Sequence, residues 1–325
     1  MKLLVTGANG FVGQAICEHL AGLQHDVVAQ MRTDRALLNS EQSTQYIRRL
    51  IADLDQIFQE KKSFDGIDAV IHCAARVHQV QEASADPLAA YRVINTQATL
   101  GLAQAAFEAG VRRFVFISSV KVNGEFTLPG QAFRSQDAAP QDPYGISKWE
   151  AELGLLDIAA KTGMEVVIIR PPLVYGPGVK ANFLTMMRTV QRGIPLPLGA
   201  INNQRSLVAL PNLVDFITLC LTHPKAANQT FLISDQQDVS TTELLRYLGH
   251  ALHRPARLIR VPQSLLQMGL KAIGKGGMAQ RLCGDLTVDS TPATNSLGWK
   301  PPCTAQQGLQ LTADHFFKQL AEQRP

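Results

Sequence analysis

The chain has 325 residues, more than one domain usually contains, so its length predicts one large domain with a smaller lobe. Hydrophobic residues make up 46% and charged residues 18%, as in soluble globular proteins. The net charge of +4 is modest and the Lys and Arg residues are scattered, which gives nucleic-acid binding weak support and leaves anionic small molecules as plausible partners. Five widely spaced cysteines without a C-x-x-C pair argue against a disulfide framework and against a metal site.

The first half of the chain alternates short β-branched runs with amphipathic segments. The runs are KLLVT (2–6), DVVAQM (26–31), IRRLIA (47–52), AVIHCA (69–74), RFVFIS (113–118) and EVVIIR (165–170). Strands that are buried on both faces and connected by helices form parallel sheets. The pattern therefore predicts an α/β fold with a doubly wound parallel sheet, and we assign residues 1–175 to this domain.

The second half loses this alternation after Gly176, where many prolines interrupt the sequence. Residues 176–325 are predicted to form a smaller mixed lobe that binds substrate, and TFLIS (230–234) is predicted to return to the sheet. The stretch from Ser264 to Gly277, SLLQMGLKAIGKGG, is too short and too charged to span a bilayer. We interpret it as a packed helix, with a peripheral membrane contact as the alternative.

The start of the chain, KLLVTGANGFVG, does not resemble the apolar region of a signal peptide, which predicts a cytoplasmic protein. Its glycines Gly7, Gly10 and Gly13 follow the first strand at the mouth of a helix, with Phe11 and Val12 between them. This spacing allows a sharp turn and brings backbone amides close to a pyrophosphate. The motif therefore predicts a dinucleotide site in a Rossmann-type fold.

The end of the second strand indicates which dinucleotide binds. An acidic residue there would favour NAD, but Met31 or Arg32 occupies the place and Arg35 follows. A guanidinium suits a 2′-phosphate, so NADP(H) is favoured, while Asp34 leaves NAD(H) open. After the third strand, Asp53 and the adjacent Leu54 could meet the adenine, or Asp53 could simply cap a helix.

The segment YGISKWEAE places Tyr144 and Lys148 one turn apart on a predicted helix. A free phenol has a pKa of about 10, and a nearby ammonium would favour its ionised form. The pair could therefore serve acid/base chemistry, although two surface residues often show the same spacing.

Together with HCAARVH, RVINTQAT, FISSVKVNG and IIRPPLVYGPG, these motifs resemble the extended short-chain dehydrogenase/reductase family of sugar-nucleotide epimerases, dehydratases and reductases. The resemblance covers nearly the whole chain. It implies a catalytic triad of Ser119, Tyr144 and Lys148, in which Tyr144 is the acid/base and Lys148 also bonds the nicotinamide ribose. It further implies cofactor contacts along four residues: Ala74, Ala75, Pro171 and Val174.

The same resemblance implies a UDP-sugar substrate and a homodimer formed through the helix near Asn95 and the helix containing Tyr144. Arg205 matches an arginine that clamps the nucleotide diphosphate, and the other residues expected to contact substrate are Asn182, Leu198, His78, Lys121 and Asn123. No nucleic-acid partner and no stable membrane insertion are expected.

The reaction depends on the residues after Ser119. Dehydratases carry an Asp-Glu pair there, whereas this chain has Val120 and Lys121, and Asn123 replaces the tyrosine common in epimerases. SSVKVNGE and PYGISKWEAE are most similar to bacterial surface-polysaccharide enzymes. We therefore expect NAD(P)H-dependent reduction of the C4 ketone of a UDP-2-acetamido-2,6-dideoxy-hexos-4-ulose. The alternatives are a UDP-hexose 4-epimerase with bound NAD, a hydroxysteroid- or flavonoid-type reductase and a non-catalytic dinucleotide sensor.

Overall fold

The computed structural model describes residues 1–33, 45–77 and 86–322. The described residues form nine strands: β1 (Lys2–Thr6), β2 (Asp26–Met31), β3 (Ile47–Ile51), β4 (Ala69–His72), β5 (Arg113–Ile117), β6 (Glu165–Arg170), β7 (Leu173–Tyr175), β8 (Leu207–Ala209) and β9 (Gln229–Leu232).

The same parts of the chain form twelve α-helices: α1 (Phe11–Gly22), α2 (Leu54–Gln59), α3 (Pro87–Tyr91), α4 (Ala98–Glu108), α5 (Pro143–Thr162), α6 (Ala181–Gln191), α7 (Leu210–Thr222), α8 (Thr241–Ala251), α9 (Gln263–Ala272), α10 (Gly276–Cys283), α11 (Thr291–Leu297) and α12 (Ala305–Glu322). A π-helical segment, Arg92–Gln97, joins α3 to α4, and short 3-10 turns occupy Lys61–Phe64, Val120–Val122 and Pro224–Ala226.

Seven strands make one parallel sheet in the order β3-β2-β1-β4-β5-β6-β9. β1 pairs on one side with β2, Leu3 opposite Val27, and on the other with β4, Leu3 opposite Ala69. The strand order reverses between β1 and β4, which opens a crevice outside their carboxyl ends where such folds bind ligands. The predicted doubly wound parallel sheet is confirmed.

Alternate side chains of the sheet enter two separate cores. Leu3 and Val5 belong to the core on one face, which includes residues of α1 and α7. Leu4 belongs to the core on the other face, with residues of α2, α4 and α5. Burying each large aliphatic side chain contributes about 1.5–3 kcal/mol, so helices on both faces hold the sheet rigid behind the crevice.

The predicted strand limits agree with the structure for β1, β2 and β6. β4 and β5 end earlier than predicted, because Cys73, Ala74 and Ser118 leave the sheet and enter the loops at its carboxyl edge. The sequence did not indicate β7 and β8, which form a separate two-stranded parallel sheet. Three residues are too few to show a period.

A third core packs around β7, β8, α6, α8 and α12. A buried hydrogen-bond network ties it to the main sheet: the Tyr175 hydroxyl donates to Asp235 Oδ2 (2.6 Å), and Asp235 Oδ1 accepts from Ala209 N and Asn212 Nδ2, each at 2.7 Å. Burial raises the pKa of Asp235 above its ordinary value. The domain boundary at residue 175 stays a prediction.

Helix α9 packs on one side only. It contacts α10, and its Leu266 side chain packs against the third core, while Leu265 and Met268 are exposed. The predicted stretch is not a single helix, because α9 ends at Ala272 and α10 begins at Gly276. Among the described helices, none has the length and apolar character needed to cross a bilayer.

Candidate active site

A glycine-rich turn joins β1 to α1 at the crevice. Gly7 has a φ of +65°, and a Cβ built there would lie 2.8 Å from the backbone of Ala74. A Cβ on Gly13 would lie 2.3 Å from the Gly7 carbonyl oxygen, so both positions require glycine. Helix α1 begins after Gly10 without a side-chain cap, and its first amides can therefore bind an anion such as a pyrophosphate.

A buried glutamine that the sequence analysis missed braces this turn. Gln30 Oε1 accepts a hydrogen bond from Gly7 N (3.1 Å), and Gln30 Nε2 donates to Ala52 O (2.7 Å). Because Gln30 is only 2% exposed, these bonds form away from competing water. Gln30 thus fixes the turn to the segment after β3.

His72, at the end of β4, forms a second buried hydrogen-bonded link beneath the site. Thr6 Oγ1 donates to His72 Nδ1 (2.6 Å), and His72 Nε2 donates to Thr99 Oγ1 (2.9 Å), which itself donates to Asn95 O. Burial, helped by the positive charge of Lys148, lowers the pKa of His72 to about 3. His72 is therefore a neutral structural link between β1 and α4, not an acid/base group.

The structure brings the predicted triad together at the carboxyl end of β5. Ser119 begins the 3-10 turn after this strand, and its hydroxyl lies near enough to the phenol of Tyr144, in the first turn of α5, to lower the pKa of that phenol. Lys148 follows one turn later on α5, where its Nζ donates to Ile117 O (2.9 Å). Asp142 Oδ1 caps α5 by accepting from Gly145 N (2.6 Å). The arrangement places a proton donor beside a hydroxyl that can hold an oxygen of a substrate.

The environment of Tyr144 differs in one respect from the expectation. Burial raises the pKa of Tyr144, the charge of Asp142 raises it further, and the Ser119 hydroxyl lowers it. Lys148 does not lower the pKa of Tyr144 as expected, because its ammonium is directed at Ile117 O and lies 4.4 Å from the centre of the Phe116 ring. Ser119 is the neighbour that favours the phenolate here.

Burial also lowers the pKa of Lys148, from 10.5 to about 8. Between pH 8 and pH 10.5 the lysine is protonated in the unfolded chain but not in the folded protein, so the free energy of unfolding rises with pH through this range. Below pH 8 the lysine is protonated in both states, and the folded protein bears the full cost of burying the charge. We expect Lys148→Met, in protein freed of bound dinucleotide, to stabilise the fold at pH 7 by about 2 kcal/mol, after allowance for the lost hydrogen bond.

The stability that Lys148→Met gains over the unchanged protein should decrease as the pH rises from 8 to 10.5. Urea-unfolding midpoints at pH 7 and pH 10 measure this change. Lys161→Met, at a side chain that is 71% exposed, is the control and should show no such trend. A stability difference for Lys148→Met that does not depend on pH would contradict the assignment.

The π-helical segment between α3 and α4 delivers Asn95 to the site. Asn95 is fully buried; its Oδ1 accepts from Arg76 N (2.8 Å), and its Nδ2 donates to Arg76 O (3.1 Å) and to Ser147 Oγ (3.0 Å). Ser147 lies between Tyr144 and Lys148 on α5. Asn95 therefore connects the loop after β4 to the helix of the triad, a frequent use of π-bulges near functional sites.

A fully buried ion pair lies behind the triad. Arg170, the last residue of β6, donates two parallel hydrogen bonds to Glu152 of α5, Nε to Oε1 at 3.0 Å and Nη2 to Oε2 at 2.6 Å. Ser118 Oγ also donates to Glu152 (2.5 Å). Since Ser118 precedes Ser119 and Arg170 precedes Pro171, the pair joins three segments that carry predicted site residues.

Two predicted substrate contacts have other roles in this structure. Asn123 is 1% exposed, donates to Arg134 O (2.7 Å) and Asp137 O (3.0 Å), and accepts from Arg170. Its amide is thus fully used inside the protein and does not fit the predicted place beside a sugar. Lys121 is partly exposed and forms ion pairs with Glu125 and with Asp142 Oδ2 (3.1 Å).

Three of the remaining predicted substrate residues lie in the C-terminal half. Arg205 uses only Nη1, which donates to Arg281 O and Gly284 O, so within the described residues its other guanidinium nitrogens make no hydrogen bond. Asn182 is exposed in the first turn of α6, after Ala181 with a φ of +53°. Leu198 is 8% exposed in the third core, which does not fit a wall beside a base. His78 lies outside the described residues.

The residues predicted to contact the cofactor surround the crevice. Arg32 is exposed immediately after β2, and Asp53 is the N-cap of α2, with its amide donating to Gln56 Oε1 (2.8 Å). The others lie at the carboxyl ends of β1, β3, β4 and β6: Phe11, Val12, Leu54, Ala75, Pro171 and Val174. The described part of the chain contains no group of three His, Cys, Asp or Glu side chains able to hold a metal ion.

Comparison with known proteins agrees with this geometry. The profile of the NAD dependent epimerase/dehydratase family matches residues 3–234. A UDP-glucose 4-epimerase of Vibrio cholerae is 45% identical over 319 residues, which cover 98% of this chain and 96% of that protein.

More distant relatives share the same coverage. An N-acetyl-alpha-D-glucosaminyl-diphospho-ditrans,octacis-undecaprenol 4-epimerase of Escherichia coli O157:H7 is 26% identical over 97% of this chain and 95% of that protein. The solved structure of UDP-glucuronic acid 4-epimerase from Bacillus cereus in complex with NAD superimposes with a TM-score of 0.79 at 20% identity, over 98% and 99% of the two chains.

Proposed function

The chain belongs to the NAD dependent epimerase/dehydratase family, and within it we propose that this protein is a UDP-hexose 4-epimerase that retains NAD. The observation that carries the proposal is the site formed by Ser119, Tyr144 and Lys148. It lies in a chain that is 45% identical, over nearly its full length, to a UDP-glucose 4-epimerase. This was the alternative in the sequence analysis, and the comparison favours it over the 4-keto reductase.

The residues around the crevice fit a dinucleotide. The cradle formed by Gly7, Gly10 and Gly13 would hold the pyrophosphate against the first turn of α1, and Ala74 approaches so closely that a side chain on Gly7 would fill the space. Lys148 would bond the nicotinamide ribose. When bound, NAD supplies a hydride acceptor for C4 of the sugar and returns the hydride in the second half of the reaction.

Tyr144 performs the proton transfer at the C4 oxygen. As the phenolate it takes the hydroxyl proton when C4 is oxidised to a ketone, and as the resulting phenol it gives the proton back after the sugar has presented its other face. The Ser119 hydroxyl lowers the pKa of Tyr144 that burial raises, and so favours this phenolate. Once substrate is bound, the hydroxyl can direct its single proton to the C4 oxygen instead. The phenolate is restored at the end of each cycle, as an isomerisation without net proton change requires.

Arg205 is proposed to bind the diphosphate of the nucleotide. Two of its guanidinium nitrogens make no hydrogen bond within the described residues, and a diphosphate could accept from both. Asn182 is proposed to contact the nucleotide beside it. Lys121 and His78 remain proposed sugar contacts, whereas Asn123 and the side chain of Leu198 are buried away from the proposed site.

The 4-keto reductase remains the second candidate because of one residue. Arg32 follows β2 where an acidic residue would favour NAD, and a guanidinium there suits NADPH, which a reductase must exchange at each turnover. The other argument for a reductase, Asn123 in place of tyrosine, loses its weight because the Asn123 amide is committed to buried bonds.

A homodimer is proposed through α4 and α5. Leu153 on α5 is 49% exposed, and Val93 in the preceding π-helical segment is 52% exposed. Arg92 pairs with Glu150 at 2.6 Å and joins the π-helical segment to α5 within one chain. Two copies of this helix pair would cover the apolar side chains in a four-helix bundle.

An assay of the purified protein without added cofactor tests the proposal. We expect UDP-glucose to convert to UDP-galactose, and we expect denaturation to release about one equivalent of NAD per chain. A parallel reaction contains UDP-4-keto-6-deoxy-N-acetylglucosamine with NADPH or NADH. Stoichiometric consumption of reduced cofactor there, with no epimerisation of UDP-glucose or UDP-N-acetylglucosamine, would contradict the epimerase and identify a reductase.

A further inference from the structure

The charges of the C-terminal half are unevenly distributed. Between Glu243 and Asp285 the sequence contains no acidic residue, but it contains five arginines and two lysines: Arg246, Arg254, Arg257, Arg260, Lys271, Lys275 and Arg281. All seven are exposed, and among the described residues none of them forms an ion pair. Basic residues are scattered along the whole chain, but this segment has no acidic residues to balance them. It therefore carries a local excess of positive charge that its own structure does not neutralise.

The same segment exposes large apolar side chains. Helices α9 and α10 pack against each other as a hairpin, and its outward side chains are Leu265 (53% exposed), Met268 (63%), Ile273 (65%) and Met278 (48%). Leu265 and Met268 are three residues apart and share a face of α9, and Ile273 lies in the turn that follows. Together with Lys271 and Lys275 we call these residues the hairpin face.

The hairpin is firmly attached on its other side. Leu266 and Leu282 pack against the third core, Gln263 Nε2 donates to Cys283 O (3.1 Å), and Thr241 Oγ1 donates to Leu282 O (2.7 Å). Arg205, the proposed diphosphate ligand, donates to Arg281 O at the end of α10. The hairpin face is therefore the outer surface of a fixed element beside the proposed substrate site.

We propose that the hairpin face docks on an anionic membrane surface. Lipid headgroups supply the negative charge that the uncompensated cations need, and the boundary below them accepts exposed Leu, Met and Ile side chains. A nucleic acid would satisfy the cations but leave the apolar side chains in water, and a second copy of this chain would bring like charges together. The contact is peripheral, because α9 and α10 are too short to cross a bilayer.

Vesicle co-sedimentation of the full chain tests the proposal. We expect the protein to bind vesicles of phosphatidylglycerol and phosphatidylcholine in equal parts, to release them in high salt, and to bind pure phosphatidylcholine at least about 10-fold more weakly. Lys271→Gln/Lys275→Gln should weaken binding about 25-fold, at about 5-fold for each cation. Met268→Gln/Ile273→Gln should weaken it about 10-fold or more.

Matched controls lie elsewhere on the surface. Leu128→Gln changes a leucine that is 58% exposed, and Lys318→Gln changes an exposed lysine of α12; both should bind as the unchanged protein does. The hairpin variants alter only exposed side chains, so their thermal unfolding midpoint and their turnover of a water-soluble UDP-sugar should be unchanged.

Four results would overturn the proposal. The protein would not bind anionic vesicles, it would bind both lipids equally, or the hairpin and control variants would lose vesicle binding equally. In the fourth, the hairpin variants would lose a dimer in solution and no vesicle binding would be seen. Tight salt-sensitive binding to duplex DNA without binding to vesicles would reassign the cations to nucleic acid.

Discussion

Tyr144→Phe should lower kcat for sugar-nucleotide interconversion on the order of 1,000-fold. The phenyl ring keeps the edge contact with Tyr91, whose ring centre lies 6.0 Å away, and the main chain of residue 144 keeps its bond from Ser147 Oγ. Only the hydroxyl is lost, and with it the group that exchanges a proton with the C4 oxygen. Bound dinucleotide, measured after denaturation, should stay near the level of the unchanged protein.

Tyr247→Phe is the matched control for this prediction. Tyr247 packs beside the third core on α8, away from the triad, and the same loss of a hydroxyl there should leave kcat within about twofold. Initial rates at saturating substrate, taken for both variants, separate the two cases. A Tyr144→Phe variant that retains more than about a tenth of kcat would remove Tyr144 from the role of acid/base.

Glu152→Gln should destabilise the protein by about 3–5 kcal/mol, because it leaves the Arg170 guanidinium buried beside a neutral partner. Both side chains of this pair are almost completely buried, at 2% and 0% exposure, so no water replaces the lost charge. Ser118 would also lose its ionised acceptor. Since Ser118 precedes Ser119, kcat should fall as well, with the loss of stability as the larger effect.

Glu150→Gln provides the control, two residues earlier on the same helix. Its partner Arg92 lies at the same 2.6 Å, but the Glu150 and Arg92 side chains are 31% and 44% exposed, and water screens such pairs so that they contribute little to stability. Urea-unfolding midpoints measured together should show a large decrease for Glu152→Gln and almost none for Glu150→Gln. Equal decreases would mean that burial does not determine the strength of the Arg170 pair.

The sequence predicted the parts of the site that depend on local spacing. Gly7, Gly10 and Gly13 follow a strand at fixed intervals. Tyr144 and Lys148 lie one helical turn apart, so both motifs could be recognised without a structure. The parallel, doubly wound character of the main sheet follows from the alternation of strands and helices, whereas its strand order is known only from the structure.

The supports of the site were not predictable, because they join residues far apart in the chain. Gln30 reaches Gly7, His72 joins Thr6 to Thr99, and Glu152 meets Arg170 only after the sheet has formed. A single polar residue in an apolar strand or helix does not indicate its partner. For the same reason Asn123 was misassigned: its position near Ser119 in the sequence suggested the sugar, whereas the fold turns its amide toward Arg134 O and Asp137 O.

Helix α9 illustrates a different limit. Its leucines and methionine follow the spacing of a core helix, and a sequence does not distinguish a face that meets the core from one that meets another surface. The structure makes that distinction through exposure, and the exposed face coincides with the segment that has no acidic residue.

The fate of the hydrogen at C4 tests the central claim most directly. UDP-glucose deuterated at C4 is incubated with the purified protein and no added cofactor, and the products are followed by NMR. A 4-epimerase that passes a hydride to a retained NAD and takes it back yields UDP-galactose with deuterium still at C4. Absence of UDP-galactose, or its formation with C4 deuterium replaced by solvent hydrogen, would contradict the proposed function.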